Sequence, residues 1–322
     1  MLFSAAVIAA VLSASCSDSP TTPSPSPSTD ILAIVCPEPI TAVANTATGA
    51  AVVYQPPVVT GGRPPVTSSC SRPSGQPFPI GTTSVTCSAQ DATPVSTSCT
   101  FSVTVQTPPR LSATRFLAFG DSITAGEVTA PQSVVMANGE RWWPLVVVPT
   151  VSYPTRLAER LTAGYPLQQP TVVNAGQSGQ SATDGVSRFL ATATQPPYDV
   201  VLLLMGYNDV SGDSRSVANG AAALERMVRN ARGRNLRVFL ATLTPTITGR
   251  LRSVDQALLD TMNVRIRQIA AAEGAVLVDL HQAFQPAVFT WIGSDGLHPT
   301  EAGYVRIAET FFAAIRATLE TN

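Results

Sequence analysis

The chain contains no lysine, so all 20 of its basic residues are arginine. Schiff-base chemistry, serine-lysine dyads and Walker-type phosphate loops each need a lysine amine, and all three are excluded. Only two histidines occur, His281 and His298, with no H-E-x-x-H or C-x-x-C pattern beside them. That scarcity argues against a metal centre. Cys16, Cys36, Cys70, Cys87 and Cys99 are the five cysteines, all in the first third, so a catalytic domain after residue 110 has no thiol nucleophile. With 20 basic against 21 acidic residues, no net field attracts nucleic acid or anionic lipid. Two familiar α/β fingerprints are missing as well: no G-x-G-x-x-G follows the first apolar strand of the larger domain, and no G-x-S-x-G occurs. No cofactor is expected.

What is present begins with an apolar run, Leu2 to Leu12, of signal-peptide length and too short to span a bilayer. No positive charge precedes it. It ends in Leu12-Ser13-Ala14-Ser15-Cys16, which resembles a bacterial lipoprotein signal, although the leucine stands four places before the cysteine rather than the usual three. Lipidation of Cys16, with membrane anchoring, and ordinary cleavage near Ser15 stay open as alternatives. Both imply export to the cell envelope or beyond. Residues 1–16 are thus a signal, and 17–30 a Ser/Pro-rich tether.

From Ile31 to Gln106 the texture changes to short β-branched runs between Pro/Gly turns, such as Val52-Val53-Tyr54, Thr83 to Cys87 and Cys99 to Val105. That spacing predicts a small β-sandwich. Four cysteines in an exported module of this size predict two disulfides. Three pairings are allowed, and we favour Cys36 with Cys99 and Cys70 with Cys87, as a first-to-last strand tie and an intra-hairpin tie. Val35-Cys36-Pro37, Phe78 to Thr83 before Val85-Thr86-Cys87, Asp91 and the closing Cys99 to Val105 resemble the hyalin (HYR) repeat, an immunoglobulin-like module. Such modules are usually adhesive or spacer units, so the resemblance implies contact with a glycan or protein at the cell surface and no chemistry. Residues 107–114, with Pro108-Pro109, read as a linker.

The remainder, 115–322, alternates apolar runs with helical patterns. Strands are expected at Phe116 to Phe119, Thr171 to Val173, Val200 to Met205, Val238 to Ala241 and Val276 to Val278. Between them, Val217, Ala221, Leu224, Val228 and Ala231 line one helix face, with Ser216 as N-cap and Gly233 as stop. Ser253 precedes a second helix ended by Gly274, and Tyr304, Ile307, Phe311 and Ile315 mark the last. This alternation predicts a three-layer, flavodoxin-like α/β domain with a five-stranded parallel sheet.

Side chains just past a strand's carboxyl end face the ligand crevice of such a sheet. Ser122 stands there, after Phe116 to Gly120, but its hydroxyl needs a base that is itself held by a third group. His298 is the best base, in the loop Ser294-Asp295-Gly296-Leu297-His298-Pro299, where Asp295 can reach the imidazole from three residues upstream. Two further post-strand turns offer donors for an oxyanion: Asn174 to Gly179, where a glycine lets substrate approach a backbone amide, and Gly206-Tyr207-Asn208-Asp209, where Asn208 brings a side-chain amide. His281 reads as a structural or solvated histidine. Arg226, Arg229, Arg232, Arg234 and Arg237 read as a solvated helix face. Glu127 to Ser152 is an apparent insertion, whose Arg141-Trp142-Trp143 either walls an acyl or sugar pocket or packs a long loop.

In this order, Gly120-Asp121-Ser122-Ile123-Thr124, Asn174 to Gly179, Gly206 to Asp209 and Asp295 to Pro299 closely resemble the four blocks of the SGNH, or GDSL, hydrolases over about residues 115–318. The resemblance implies Ser122 as nucleophile, His298 as base and Asp295 as its orienter. It also implies an oxyanion hole of the Ser122 and Gly179 amides with the Asn208 side chain, Gly176 competing for the second place. Thr300 stands where asparagine is commoner. The expected function is a serine esterase acting through an acyl-enzyme on acetylated carbohydrate, lipid or simple acyl and aryl esters. The alternative from another class is a cell-surface adhesion or glycan-binding protein with an inactive domain of this fold.

Overall fold

The computed structural model describes residues 31–321, apart from 131, 133, 138, 140 and 196. The Cys16 anchor, the signal and the tether lie outside the described residues. The chain divides into two compact units, one containing Gly49–Gln106 and the other Thr107–Asn322.

The smaller unit is β-rich. Its four-stranded sheet runs in the order Ile40–Val43, Ser96–Gln106, Gly81–Gln90, Thr67–Cys70. Strict alternation buries Val85, Cys87 and Ala89 on one long strand and Phe101, Val103 and Val105 on the next, giving a single apolar face. Disulfides join Cys36 to Cys99 and Cys70 to Cys87, the pairing favoured from strand order. Cys70 and Cys87 stand directly opposite each other on paired strands, which is why that tie closes within a hairpin-like pair.

The larger unit is a parallel sheet of five strands: β1 (Arg115–Gly120), β2 (Thr171–Gly176), β3 (Val200–Leu204), β4 (Arg237–Ala241) and β5 (Val276–Val278). Their order is β2-β1-β3-β4-β5, with every neighbouring pair parallel. This is the flavodoxin-like order, which reverses direction between β1 and β3 and opens a ligand crevice at their carboxyl ends. The central strands β1 and β3 carry Phe116 to Phe119 and Val200 to Leu204 with no exposed surface, as strands covered on both faces must. Each phenylalanine, leucine or valine among them contributes about 1.5–3 kcal/mol on burial. The edge strand β2 keeps Val173 partly in solvent.

The short helix α1 (Ser122–Ala125) follows β1 directly, and α2 (Tyr153–Gly164), α3 (Ala182–Thr192), α4 (Tyr207–Val210), α5 (Ser214–Gly233), α6 (Gln256–Glu273), α7 (Leu280–Phe284), α8 (Val288–Trp291) and α9 (Glu301–Leu319) come after it. α2 packs on α9, while α5 packs on both α3 and α6, forming the outer layers. Two helix starts differ from expectation. α5 begins a turn before Ser216, because Asp213 accepts the Ser216 amide and takes the cap. α6 is capped by Asp255 rather than Ser253. Gly233 is the last residue of α5, as expected, with the left-handed residue that follows at Asn235. Gly274 ends α6 in the left-handed conformation, as expected. The segment read as a linker is partly built into this unit: Arg110–Leu111 pairs with Glu320–Thr321, and Leu111 and Ala113 are buried in its core.

The insertion 127–152 is not a plain loop. Glu127–Thr129 pairs with Leu145–Val147, and Val134–Val135 pairs with Arg141–Trp142, so its two ends are strapped together.

Candidate active site

Ser122 is the first residue of α1, which is capped by Asp121 through the Ile123 amide at 3.1 Å. The helix folds back over the sheet so closely that a Cβ on Gly120 would lie 2.1 Å from the Leu204 carbonyl, and one on Gly176 would lie 2.1 Å from the Ala125 nitrogen. Only glycine fits at these two positions, and the saddle they form fixes α1 between β2 and β3. Asp121 is fully buried, which pushes its carboxyl up to about 7 against the opposing pull of the Ile123 amide and the His298 charge.

From the far end of the chain, Asp295 and His298 arrive in one tight turn between α8 and α9. The Gly293 amide donates to the His298 carbonyl at 2.8 Å, and Thr300 caps α9 through the Gly303 amide. Asp295 Oδ1 accepts the Leu297 and His298 amides, each at 3.0 Å, leaving Oδ2 to take the His298 Nδ1 proton at 2.7 Å. His298 Nε2 then lies 3.0 Å from Ser122 Oγ. The three residues are 6%, 2% and 4% exposed for Ser122, Asp295 and His298, so this hydrogen-bonded chain lies largely out of water.

Burial acts on both partners and is outweighed on both. It pushes the Asp295 carboxyl up, but the imidazole and the two amides hold it below the ordinary carboxylate range. It pushes His298 down, yet hydrogen bonds to Asp295 and Glu127 hold the imidazole above its ordinary value.

The two donor turns stand beside this relay. Asn174 Oδ1 accepts the Gly176 amide at 2.9 Å, so that amide is already engaged. Gly179, with φ of +72°, has open space around its Cα and lines the cleft. This separates the two glycines that spacing left equal. Asn208 donates one Nδ2 hydrogen to the Gln180 carbonyl at 3.0 Å, and an amide nitrogen carries a second. Asp209, buried beneath, accepts the Ala182 amide at 2.7 Å and the Thr183 hydroxyl at 3.1 Å, tying the start of α3 to the third block.

All of this opens on a cleft of about 460 Å³ lined by Ser122, Glu127, Gly179, Asn208, Arg252 and His298 among others. Glu127 is the residue that sequence reasoning missed. Its carboxylate lies 3.4 Å from His298 Nε2 with a side chain 13% exposed, and its ionised form is favoured first by that imidazole, then by Ser178, against burial. The signal available was its place two residues past the end of α1, and nothing in its neighbours distinguished it. His281 is away from the cleft, with its amide donating to Thr242 Oγ1 and its ring 3.9 Å from Asp260. Trp143 borders a separate cavity of about 560 Å³ with Val128, Thr129, Val148 and Pro299. The side chains of Arg141 and Trp142 lie outside the described residues.

Residues 118–306 match the model of the GDSL-like lipase/acylhydrolase family, and residues 30–105 match the HYR domain. Among solved structures, a lipase/acylhydrolase from Enterococcus faecalis is similar at 25% identity and a TM-score of 0.52, covering 63% of this chain and 96% of its own. A catalytic mutant of an acetylxylan esterase from Geobacillus stearothermophilus shares the fold at 22% identity and a TM-score of 0.50, covering 64% and 95%. A GDSL-like lipase from Parabacteroides merdae does so at 20% identity and 0.50, covering 64% and 97%. No curated protein matches the chain.

Proposed function

Because the chain belongs to the GDSL-like lipase/acylhydrolase family, we propose that it hydrolyses carboxylic esters with Ser122 as nucleophile, His298 as general base and Asp295 as the carboxylate that orients it. The observation that carries this reading is the continuous relay from Ser122 Oγ to His298 Nε2 at 3.0 Å and from Nδ1 to Asp295 at 2.7 Å. Attack of Oγ on the ester carbonyl transfers the serine proton to Nε2 and leaves an oxyanion. The Ser122 and Gly179 amides and the free Asn208 hydrogen receive that charge. Collapse expels the alcohol, which takes the proton from Nε2, and water repeats the sequence on the acyl-enzyme.

The substrates proposed are acetylated carbohydrates, lipid esters, or simple acyl and aryl esters. The two disulfides and the HYR module support action outside the cell. Anchoring through Cys16 rests on the N-terminal sequence alone. Assay of the full chain on p-nitrophenyl esters of increasing acyl length tests the activity and ranks the acyl groups; absence of turnover on every length would leave the adhesion reading in its place.

Asn208→Ala is expected to lower kcat on the order of 10²–10³-fold, the usual effect of removing one oxyanion donor. A loss below about tenfold would take Asn208 out of that role.

The pH dependence follows from His298. The base works when neutral, and its two carboxylate neighbours hold the protonated form to higher pH than usual. Activity should therefore climb as pH rises, with the acid limb of kcat/KM centred above about 6.5, the ordinary imidazole value. A limb centred below about 6 would contradict the pairing seen at both ring nitrogens.

A further inference from the structure

His298 Nε2 has two neighbours, Ser122 Oγ at 3.0 Å and Glu127 Oε2 at 3.4 Å. In the proposed reaction this nitrogen must hand its proton to the departing alcohol oxygen, which requires that oxygen to come within about 2.6–3.2 Å of it. The leaving alcohol therefore passes beside the Glu127 carboxylate, and whatever that alcohol carries on its next carbon faces an ionised acceptor.

Glu127 is firmly held there. Its backbone pairs with Val147, its carbonyl accepts the Tyr304 hydroxyl at 2.6 Å, and Ser178 bonds its carboxylate. The charged and titratable groups around the imidazole are Asp295 on its own turn, Glu127 from the strapped insertion, Asp121 at the start of α1, and Arg252 from the segment before α6, which lies 3.6 Å from Asp295. Further along the same cleft stand Ser211, Ser253 and Asp255, so its lining offers several polar partners to an alcohol.

We propose that Glu127 determines specificity for the alcohol half of the ester, accepting a hydrogen bond from a hydroxyl next to the ester oxygen and rejecting an anionic group there. The substrate class selected is the ester of an uncharged, polyhydroxylated alcohol, either a sugar or glycerol, which share the vicinal hydroxyl. This inference rests on the triad reading above. A carboxylate at that place is a strong acceptor for a hydroxyl and a strong repellent for an anion, because its side chain is largely withdrawn from solvent, 13% exposed.

The test uses the full chain and four acetates: ethyl acetate, glyceryl monoacetate, a monoacetylated methyl xyloside and acetoxyacetate, whose alcohol part is anionic. Ratios of kcat/KM are compared within each variant, so any change in His298 basicity, common to all four, cancels. The native enzyme should prefer at least one hydroxylated acetate over ethyl acetate and discriminate against acetoxyacetate, and the two hydroxylated substrates separate sugar from glycerol. Glu127→Gln should cut the hydroxyl preference about tenfold or more and relieve the discrimination against acetoxyacetate by a similar factor, the scale of one charge-assisted hydrogen bond. Glu127→Asp keeps the charge on a shorter arm and should still reject acetoxyacetate, which guards against a glutamine variant that fails to fold. Native turnover with ratios that move less than about threefold in Glu127→Gln, or a folded Glu127→Asp that accepts acetoxyacetate as readily as ethyl acetate, overturns the inference and leaves the triad standing. No turnover on the four acetates by an enzyme that cleaves p-nitrophenyl esters overturns this inference alone, and no turnover on any ester overturns both.

Discussion

Ser122→Ala is expected to abolish ester hydrolysis, with a loss in kcat on the order of 10⁴–10⁶-fold. The reason is that Ser122 Oγ is the hydroxyl bonded to Nε2, at 3.0 Å, and no cysteine beyond Leu111 and no lysine anywhere offers another nucleophile of that kind. His298→Ala should cost a similar factor, and the double variant should cost no more than either single one, because the two groups act in one step. The substitution removes one hydroxyl from a site whose backbone is fixed by Gly120 and Gly176, so the melting temperature should stay within a few degrees of the native value. Residual activity above about one per cent in a pure, folded Ser122→Ala sample would mean that another group performs the attack.

The second large effect belongs to Asp295→Asn, expected to lower kcat on the order of 10⁴-fold with the fold intact. Asparagine can keep Oδ1 on the Leu297 and His298 amides, where it now accepts two bonds at 3.0 Å. What changes is the other atom. An amide NH₂ would face Nδ1 in place of the carboxylate oxygen, forcing the imidazole proton onto Nε2. That nitrogen could then no longer accept the proton of Ser122. Asp295→Ala is a different experiment, since it strips the two amides of their acceptor and loosens the turn as well. Kinetics and a thermal melt on both variants separate the two effects. If the asparagine variant loses less than about a hundredfold, Asp295 does not set the tautomer.

The sheet and the four blocks were legible in the sequence for one physical cause. Phe116 to Phe119 and Val200 to Leu204 are continuous apolar runs because both faces of those strands are covered, and polar turns at their ends mark the crevice. Helix starts were less legible, since Asp213 and Ser216, or Ser253 and Asp255, are caps of nearly equal strength, and the structure uses the aspartate each time. Spacing could not divide Gly176 from Gly179 either. That decision lies in the crowding of Ala125 against one and the open space around the other. Glu127 was invisible for a deeper reason: its importance comes from a carboxylate meeting an imidazole across the fold, and a lone glutamate after a glycine carries no periodic or motif signal.

Asp295 and His298 sit three residues apart in a turn closed by its own amides, so acid and imidazole form a prefabricated unit whose alignment needs no help from the sheet. The contact with Ser122 is of another kind, a hydrogen bond bridging 176 residues of chain, with Glu127 at 3.4 Å beside it. Warming or solvent that lets the turn drift from α1 would therefore disconnect a still well-aligned imidazole from its serine, and catalysis would fail at that seam before the protein lost its shape.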